Sequence, residues 1–187
     1  NVSINHAYPA LFLFQGDVYQ GMDAKSLTQE ELVFAQQHVA ILSGLYGLLR
    51  PLDSIQAYRL EMGVRLANPK GANLYDFWQQ CLTQHINREL ASHSNPWLIN
   101  LASSEYFKVI DEKKLEHPLL TINFYENKNK QIKMIGVYAK KARGVMARYL
   151  IQNRIDTVEQ IKEFSELGYY FNESSSSPQH LDFIRSH

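Results

Sequence analysis

Lys140, Lys141, Arg143 and Arg148 fall within one short segment, Val137–Asn153, of a chain whose 19 Lys and Arg are balanced by 19 Asp and Glu. Cations gathered in an otherwise neutral protein hold anions by local charge, and arginine adds a planar two-pronged donor. Wound as a helix at roughly 100° per residue, the segment sets Ala142, Val145, Met146, Tyr149 and Leu150 on one arc and the four cations on the other. Gly144 falls among the cations, where it costs about 1 kcal/mol of helix stability relative to Ala but lets a ligand reach the backbone. This is the pattern of an anion-binding surface. A solvated basic helix face with a glycine kept for packing has the same spacing.

Groups able to move protons lie in other segments: Arg59 with Glu61, Ser103 with Glu105, Tyr106 and Lys108, and Tyr138 beside Lys140. Glu61 or Glu105 would serve as general base, Tyr138 as proton donor, and the Lys/Arg set as a clamp on an anionic or phosphorylated small molecule. Against this stands the plainer reading of Arg59–Glu61 and Glu105–Lys108 as structural ion pairs. His6, His38, His85, His93, His117, His180 and His187 show no His-x-x-x-His or Glu-x-x-His pairing, so neither a dedicated metal site nor a cofactor is expected.

The chain is long and apolar enough, with 187 residues and 45% hydrophobic content, to bury a sizeable core in one domain spanning residues 1–187. Zero net charge argues against a bulk polycation, so a polyanion must meet a local patch. Cys81 is the only cysteine, which excludes an intramolecular disulfide and suits a reducing, cytoplasmic setting. No apolar run approaches the roughly 20 residues that span a bilayer, and no membrane association is expected. An N-terminus reading Asn-Val-Ser, without Met, points to a fragment.

The elements that must position these groups read as a mixed α/β chain. Leu11–Phe14 reads as a buried strand, and Thr28 with Glu31 as a capping box for a helix in which Leu32, Ala35, Val39 and Leu42 recur up to Gly44. Gly44-Leu45-Tyr46-Gly47 makes a tight reversal, and Pro51 ends a short second helix. Asn73 caps a helix to about Leu90 that carries Phe77, Cys81 and Leu82 inward. Trp97–Leu101 reads as a strand running into Ser103, the cap of a helix Ser104–Ile110. Thr121–Tyr125 and Ile132–Tyr138 form a β-hairpin around a polar turn and feed the basic helix. Asp156 and Glu159 cap a helix ending at Gly168, before a strand pair at Tyr169–Phe171 and His180–Ile184.

Five blocks, QGDVYQG (Gln15–Gly21), LSGLYGLLRPLD (Leu42–Asp53), YRLEMG (Tyr58–Gly63), NLASSEYFK (Asn100–Lys108) and YAKKARGVMARY (Tyr138–Tyr149), together resemble the YaaA peroxide-stress protein family, in that family's order. The family's early Ser-Pro-Ala-Lys block has no counterpart, so the chain corresponds to about the C-terminal two-thirds of such a protein. The resemblance implies a distinctive α/β fold with a positively charged cleft and a helix-hairpin-helix element. It also implies DNA binding and, by lowering unincorporated iron, protection of DNA and protein from hydrogen peroxide in the cytoplasm. On that basis Gly44, Tyr46, Gly47, Arg50, Arg59, Lys140, Lys141, Arg143, Gly144 and Arg148 become candidates for contact with duplex or branched DNA, without sequence specificity. An enzyme acting on an anionic small molecule in the same cleft is the alternative.

Overall fold

A computed structural model describes residues 6–186. Its centre is a sheet built on the strand Leu119–Lys128 (β6), whose burial alternates strictly, so that Leu120, Ile122, Phe124 and Glu126 share the inner face. Two strands lie parallel to β6: Leu98–Asn100 (β5) on one side and His180–Ser186 (β9) on the other. Tyr170–Phe171 (β8) extends the sheet antiparallel to β9, and Gln131–Lys133 (β7) folds back on β6 as a hairpin. The hairpin closes through Asn129 and Lys130, both left-handed at φ 53 and 63, the two-residue reversal whose twist suits paired strands.

The basic segment is a helix, Gly136–Gln152 (α6), the main part of the crossover from β6 to β9. Ala139, Ala142 and Met146 pack on the inner face of the sheet together with Phe164, Tyr169 and Phe183. Its opposite side is covered as well. Ala147 and Ile151 belong to a second core, made with Leu11, Met22, Ala35 and Ile41 from the N-terminal part of the chain. A third core, with Met62, Leu82, Ile86 and Phe107, holds the helix Leu74–Leu90 (α4) and the turn of helix Ser104–Phe107 (α5).

This second covering layer corrects the expected place of Gly144. It is buried rather than set in an exposed cationic arc, because the short helix Asp17–Met22 (α2) crosses α6 in backbone contact there. A Cβ on Gly144 would lie 1.8 Å from the Val18 carbonyl oxygen, and one on Gly21 would lie 2.2 Å from that of Lys141. Two glycines facing each other set the interhelical distance.

Several local expectations hold. Thr28 and Glu31 form a reciprocal capping box for Gln29–His38 (α3), Asn73 caps α4, Ser103 caps α5, and the closing strand pair is β8–β9. Others need correction. Leu11–Phe14 is not a strand; Ala10–Leu13 (α1) is a helical turn whose first amides donate to Asp53 and Pro51 carbonyls, and a short apolar run does not distinguish the two. The final capping box uses Thr157 and Gln160, one residue on from Asp156 and Glu159. Cys81 is exposed, since Leu82, Thr83 and Ile86 take the inward face of α4.

The expected helix-hairpin-helix is replaced by a β-hairpin. α3 stops at His38, and Ile41–Ser43 (β2) pairs antiparallel with Gly47–Leu49 (β3). Apolar spacing continued the helical period through Val39 and Leu42, but Val39 is extended and strand pairing overrides the pattern. Gly47 sits at φ 77 against the Trp78 ring, while a Cβ on Gly44 would meet the Leu60 carbonyl oxygen at 2.5 Å. These glycines serve a turn and a close approach.

Gly144→Ala is expected to cost about 3 kcal/mol of unfolding free energy, because the new methyl overlaps a backbone atom that can yield only if α2 moves. Urea denaturation checks this, and a loss below about 0.5 kcal/mol would show that the helices separate freely.

Candidate functional site

Four of the five sequence blocks converge on one wall of tyrosines. Tyr19 comes from α2, Tyr46 from the β2–β3 reversal, Tyr58 from the following loop, and Tyr106 from α5. The Tyr46 and Tyr58 rings meet edge to face at 5.4 Å, and Phe14 stacks on Tyr19 at 5.2 Å while its edge meets Tyr58. The fully buried Ser43 hydroxyl shares a 2.5 Å hydrogen bond with the Tyr58 hydroxyl and accepts from the Tyr46 amide. Burial raises the pKa of Tyr19, Tyr58 and Tyr106, and neighbouring tyrosine hydroxyls add to the rise. For Tyr106 the nearby carboxylates Glu105 and Glu61 contribute further.

Glu61, Glu105 and Lys108 therefore belong to one neighbourhood. The Glu105 carboxylate accepts from the Gly63 amide at 3.0 Å, and its backbone carbonyl accepts from the Tyr75 hydroxyl at 2.9 Å. Lys108 lies over the Tyr75 ring at 5.0 Å. Neither Arg59–Glu61 nor Glu105–Lys108 is among the ion pairs formed by the described residues. Arg59 is exposed, and Arg50 is drawn away to Glu89 at 2.6 Å.

Tyr138 lies elsewhere, over the Arg185 guanidinium. Arg185 is held from three sides: by the Glu126 carboxylate at 2.9 and 3.2 Å, by the Leu167 carbonyl, and by the rings of Tyr138 and Tyr169. Glu126 is almost wholly buried and also accepts a short hydrogen bond from the Tyr169 hydroxyl. Burial and this carboxylate push the Tyr169 pKa well above the usual tyrosine range. Sequence reasoning assigned Glu126 to a polar turn and missed this cluster. The alternation Leu120, Ile122, Phe124 carried one step further would have placed Glu126 inside.

Charge on the remaining surface is strongly segregated. From Asn127 to Ile155 the chain has eight basic residues (Lys128, Lys130, Lys133, Lys140, Lys141, Arg143, Arg148 and Arg154) and no acidic one. Two of these are tied to structure. Arg148 donates to the Met22 and Asp23 carbonyls at the end of α2, and Arg154 pairs with Glu30. The five lysines are exposed and form no ion pair among the described residues. Interleaved with them are exposed apolar side chains, Ile132, Met134, Ile135 and Val137. Gly44 and Gly47 are buried, and the Tyr46 amide already donates to the Ser43 hydroxyl.

The architecture is that of an α/β protein whose crossover helix, held between two cores, carries the basic surface. The family described as Peroxide stress protein YaaA matches residues 1–175, and the chain belongs to it. A UPF0246 protein of Legionella pneumophila (strain Lens) is 67% identical over all 187 residues, which make up 73% of that relative. Relatives from Psychromonas ingrahamii and Shewanella baltica (strain OS155) are 54% and 51% identical over 97% and 98% of the chain, covering 71% and 72% of their own lengths. Family membership supports a role related to peroxide stress. No helix among the described residues is long and apolar enough to cross a membrane.

Two measurements check the site's electrostatics. Tyr19, Tyr58, Tyr106 and Tyr169 have folded-state pKa values above the unfolded value near 10, so folding stability is full below that value and falls as pH rises through the raised ones. Urea midpoints should therefore drop above about pH 10, with a smaller drop in Tyr169→Phe; a midpoint flat to about pH 11.5 would contradict the burial. Glu126→Gln should cost about 3 kcal/mol by leaving Arg185 without its countercharge, and a near-neutral result in the same denaturation assay would show that Arg185 finds another partner.

Proposed function

We propose that this protein acts in the cytoplasm under peroxide stress as a DNA-binding protein, holding phosphates of duplex or branched DNA in a positively charged cleft along the β6–β7 hairpin and α6. One observation supports this above the others: an acid-free run whose exposed lysines form no ion pair among the described residues, in a chain of zero net charge. Lysines on a hairpin and an adjoining helix reach phosphates without reading bases, so affinity depends on salt rather than sequence. Lys140 and Lys141 sit at its centre, with Lys128, Lys130 and Lys133 on the hairpin. Lowering of unincorporated iron belongs to the same proposal as an indirect effect, with damage to DNA and protein limited as the outcome.

A second reading, an enzyme acting on an anionic or phosphorylated small molecule, rests on the tyrosine wall. There Glu61 and Glu105 lie near the Tyr106 hydroxyl, and Ser43 is bonded to Tyr58. A carboxylate near a high-pKa phenol suits proton transfer, with Lys108 as a nearby cation.

Equilibrium binding to duplex and four-way-junction DNA across a salt series separates the two. The expected result is a steep dependence of affinity on salt whose logarithmic slope falls by about 2 in Lys140→Ala/Lys141→Ala, one for each lost phosphate contact, with folding intact. No binding at moderate salt, or an unchanged slope in the double variant, would refute the DNA reading and turn attention to metabolites at the tyrosine wall.

A further inference from the structure

Among the arginines of α6 and β9, Arg143 is the one whose charge is left unanswered. Among the described residues its Nε is shut off from solvent without a hydrogen-bond partner, and Nη2 reaches the Met134 thioether sulfur at 3.9 Å, a weak acceptor. Arg148 has two carbonyls and Arg185 a carboxylate. Burial disfavours the charged form of Arg143, and no acid among the described residues forms an ion pair with it. A half-buried guanidinium in this condition is destabilising unless an anion is supplied to it.

The surroundings fit such an anion. Helical side chains lean toward the helix N-terminus, which takes the Arg143 guanidinium to the level of Met134, just before α6 begins. Lys140 lies one turn earlier on the same side and is exposed. One turn beyond, the space beside Gly136 is open, with no atom within 4 Å of a built Cβ. The terminal fork of Nη1 and Nη2, backed by an ammonium group, matches two oxygens of one tetrahedral oxyanion.

We propose that Arg143, with Lys140, forms a receptor for a single phosphate group. This deepens the DNA reading, on which the choice of phosphate over carboxylate rests, by making one residue the anchor and the exposed lysines the followers. The phosphate is either a backbone phosphodiester or a free phosphate or phosphate ester, and the test separates them.

Thermal unfolding of the whole chain in chloride buffer, with and without inorganic phosphate, is followed for wild type, Arg143→Met and Arg143→Lys. In chloride, Arg143→Met should melt at or above wild type, since a poorly solvated charge is gone and an apolar chain fills its track beside Met134. Phosphate at about a hundredfold excess over Kd should raise the wild-type Tm by about 5 °C or more. It should leave Arg143→Met unmoved, while Arg143→Lys binds about tenfold more weakly. An equal phosphate response in Arg143→Met overturns the proposal, as does a large loss of Tm for that variant in chloride that Arg143→Lys fully repairs without weakening phosphate. Duplex DNA is then titrated against the same variants. A phosphate response that needs Arg143, with no duplex binding, keeps the receptor and refutes the DNA reading. Duplex binding with equal affinity and salt slope in wild type and Arg143→Met keeps the DNA reading and rules out the backbone phosphodiester as the ligand of Arg143, leaving a free phosphate or phosphate ester where the phosphate response still needs that residue.

Discussion

The contact between α2 and α6 at Gly21 and Gly144 is the constraint on which the rest of the molecule depends. α6 must serve two cores at once: Ala142 and Met146 fill the space above the sheet, while Ala147 and Ile151 close the N-terminal core. Both can be dry only if the layer carrying α2 lies directly on the backbone of α6, and only glycine at the crossing permits it. Tyr19 rides on α2, so the same contact sets the height at which the tyrosine wall meets Tyr58 and Tyr106. Arg148 completes the joint by donating from Nη1 to the Met22 and Asp23 carbonyls at the end of α2.

A second fixed point lies at the far ends of β6 and β9. Burying Glu126 alone would be costly, and the cost is offset only because Arg185 and Tyr169 both reach it. Tyr138, in the first turn of α6, is packed over the same guanidinium. The start of α6 is thereby tied to the sheet through an ion network, while its middle is tied to α2 through backbone contact. A helix held at two places along its length presents its free cations at defined positions, which a mobile basic tail cannot do.

What could be read from the sequence follows the range of the forces involved. Caps, the β6–β7 reversal and the middle of α6 are legible because their signals lie within a few residues: Thr28 with Glu31, Asn73 with Asp76, Ser103, and the polar turn at Asn129 and Lys130. The second strand of the hairpin, expected to run Ile132–Tyr138, stops at Lys133, and Gly136–Tyr138 are already helix. The reversal at Gly44–Gly47 was also visible, but whether its flanks are helices or strands was decided by pairing between Ile41 and Leu49, which local apolar spacing does not report. For Gly144 the sequence offers two readings, access of a ligand to the backbone or a glycine kept for packing, and the contact with Val18 of α2 fits the second. The pattern of α6 alone cannot reveal α2. Glu61, Glu105 and Lys108 share one neighbourhood, whereas Tyr138 lies with Glu126 and Arg185, residues brought to it by the register of β6 against β9.

Cations in this chain are thus divided by what answers them. Arg50, Arg148, Arg154 and Arg185 have partners in the fold and contribute to its geometry. Lys128, Lys130, Lys133, Lys140 and Lys141 are exposed to solvent, and Arg143 Nε is closed to solvent without an acceptor among the described residues. Zero net charge is compatible with a polyanion surface because Coulomb attraction is screened beyond about 8–10 Å, so the acids balancing these groups in the total lie outside the Asn127–Ile155 run and need not oppose a ligand at α6. Under the proposed function the exposed lysines would set long-range attraction and the salt dependence. A half-buried guanidinium gains most from one well-placed oxyanion, because only there does binding remove a desolvation cost already present in the folded protein.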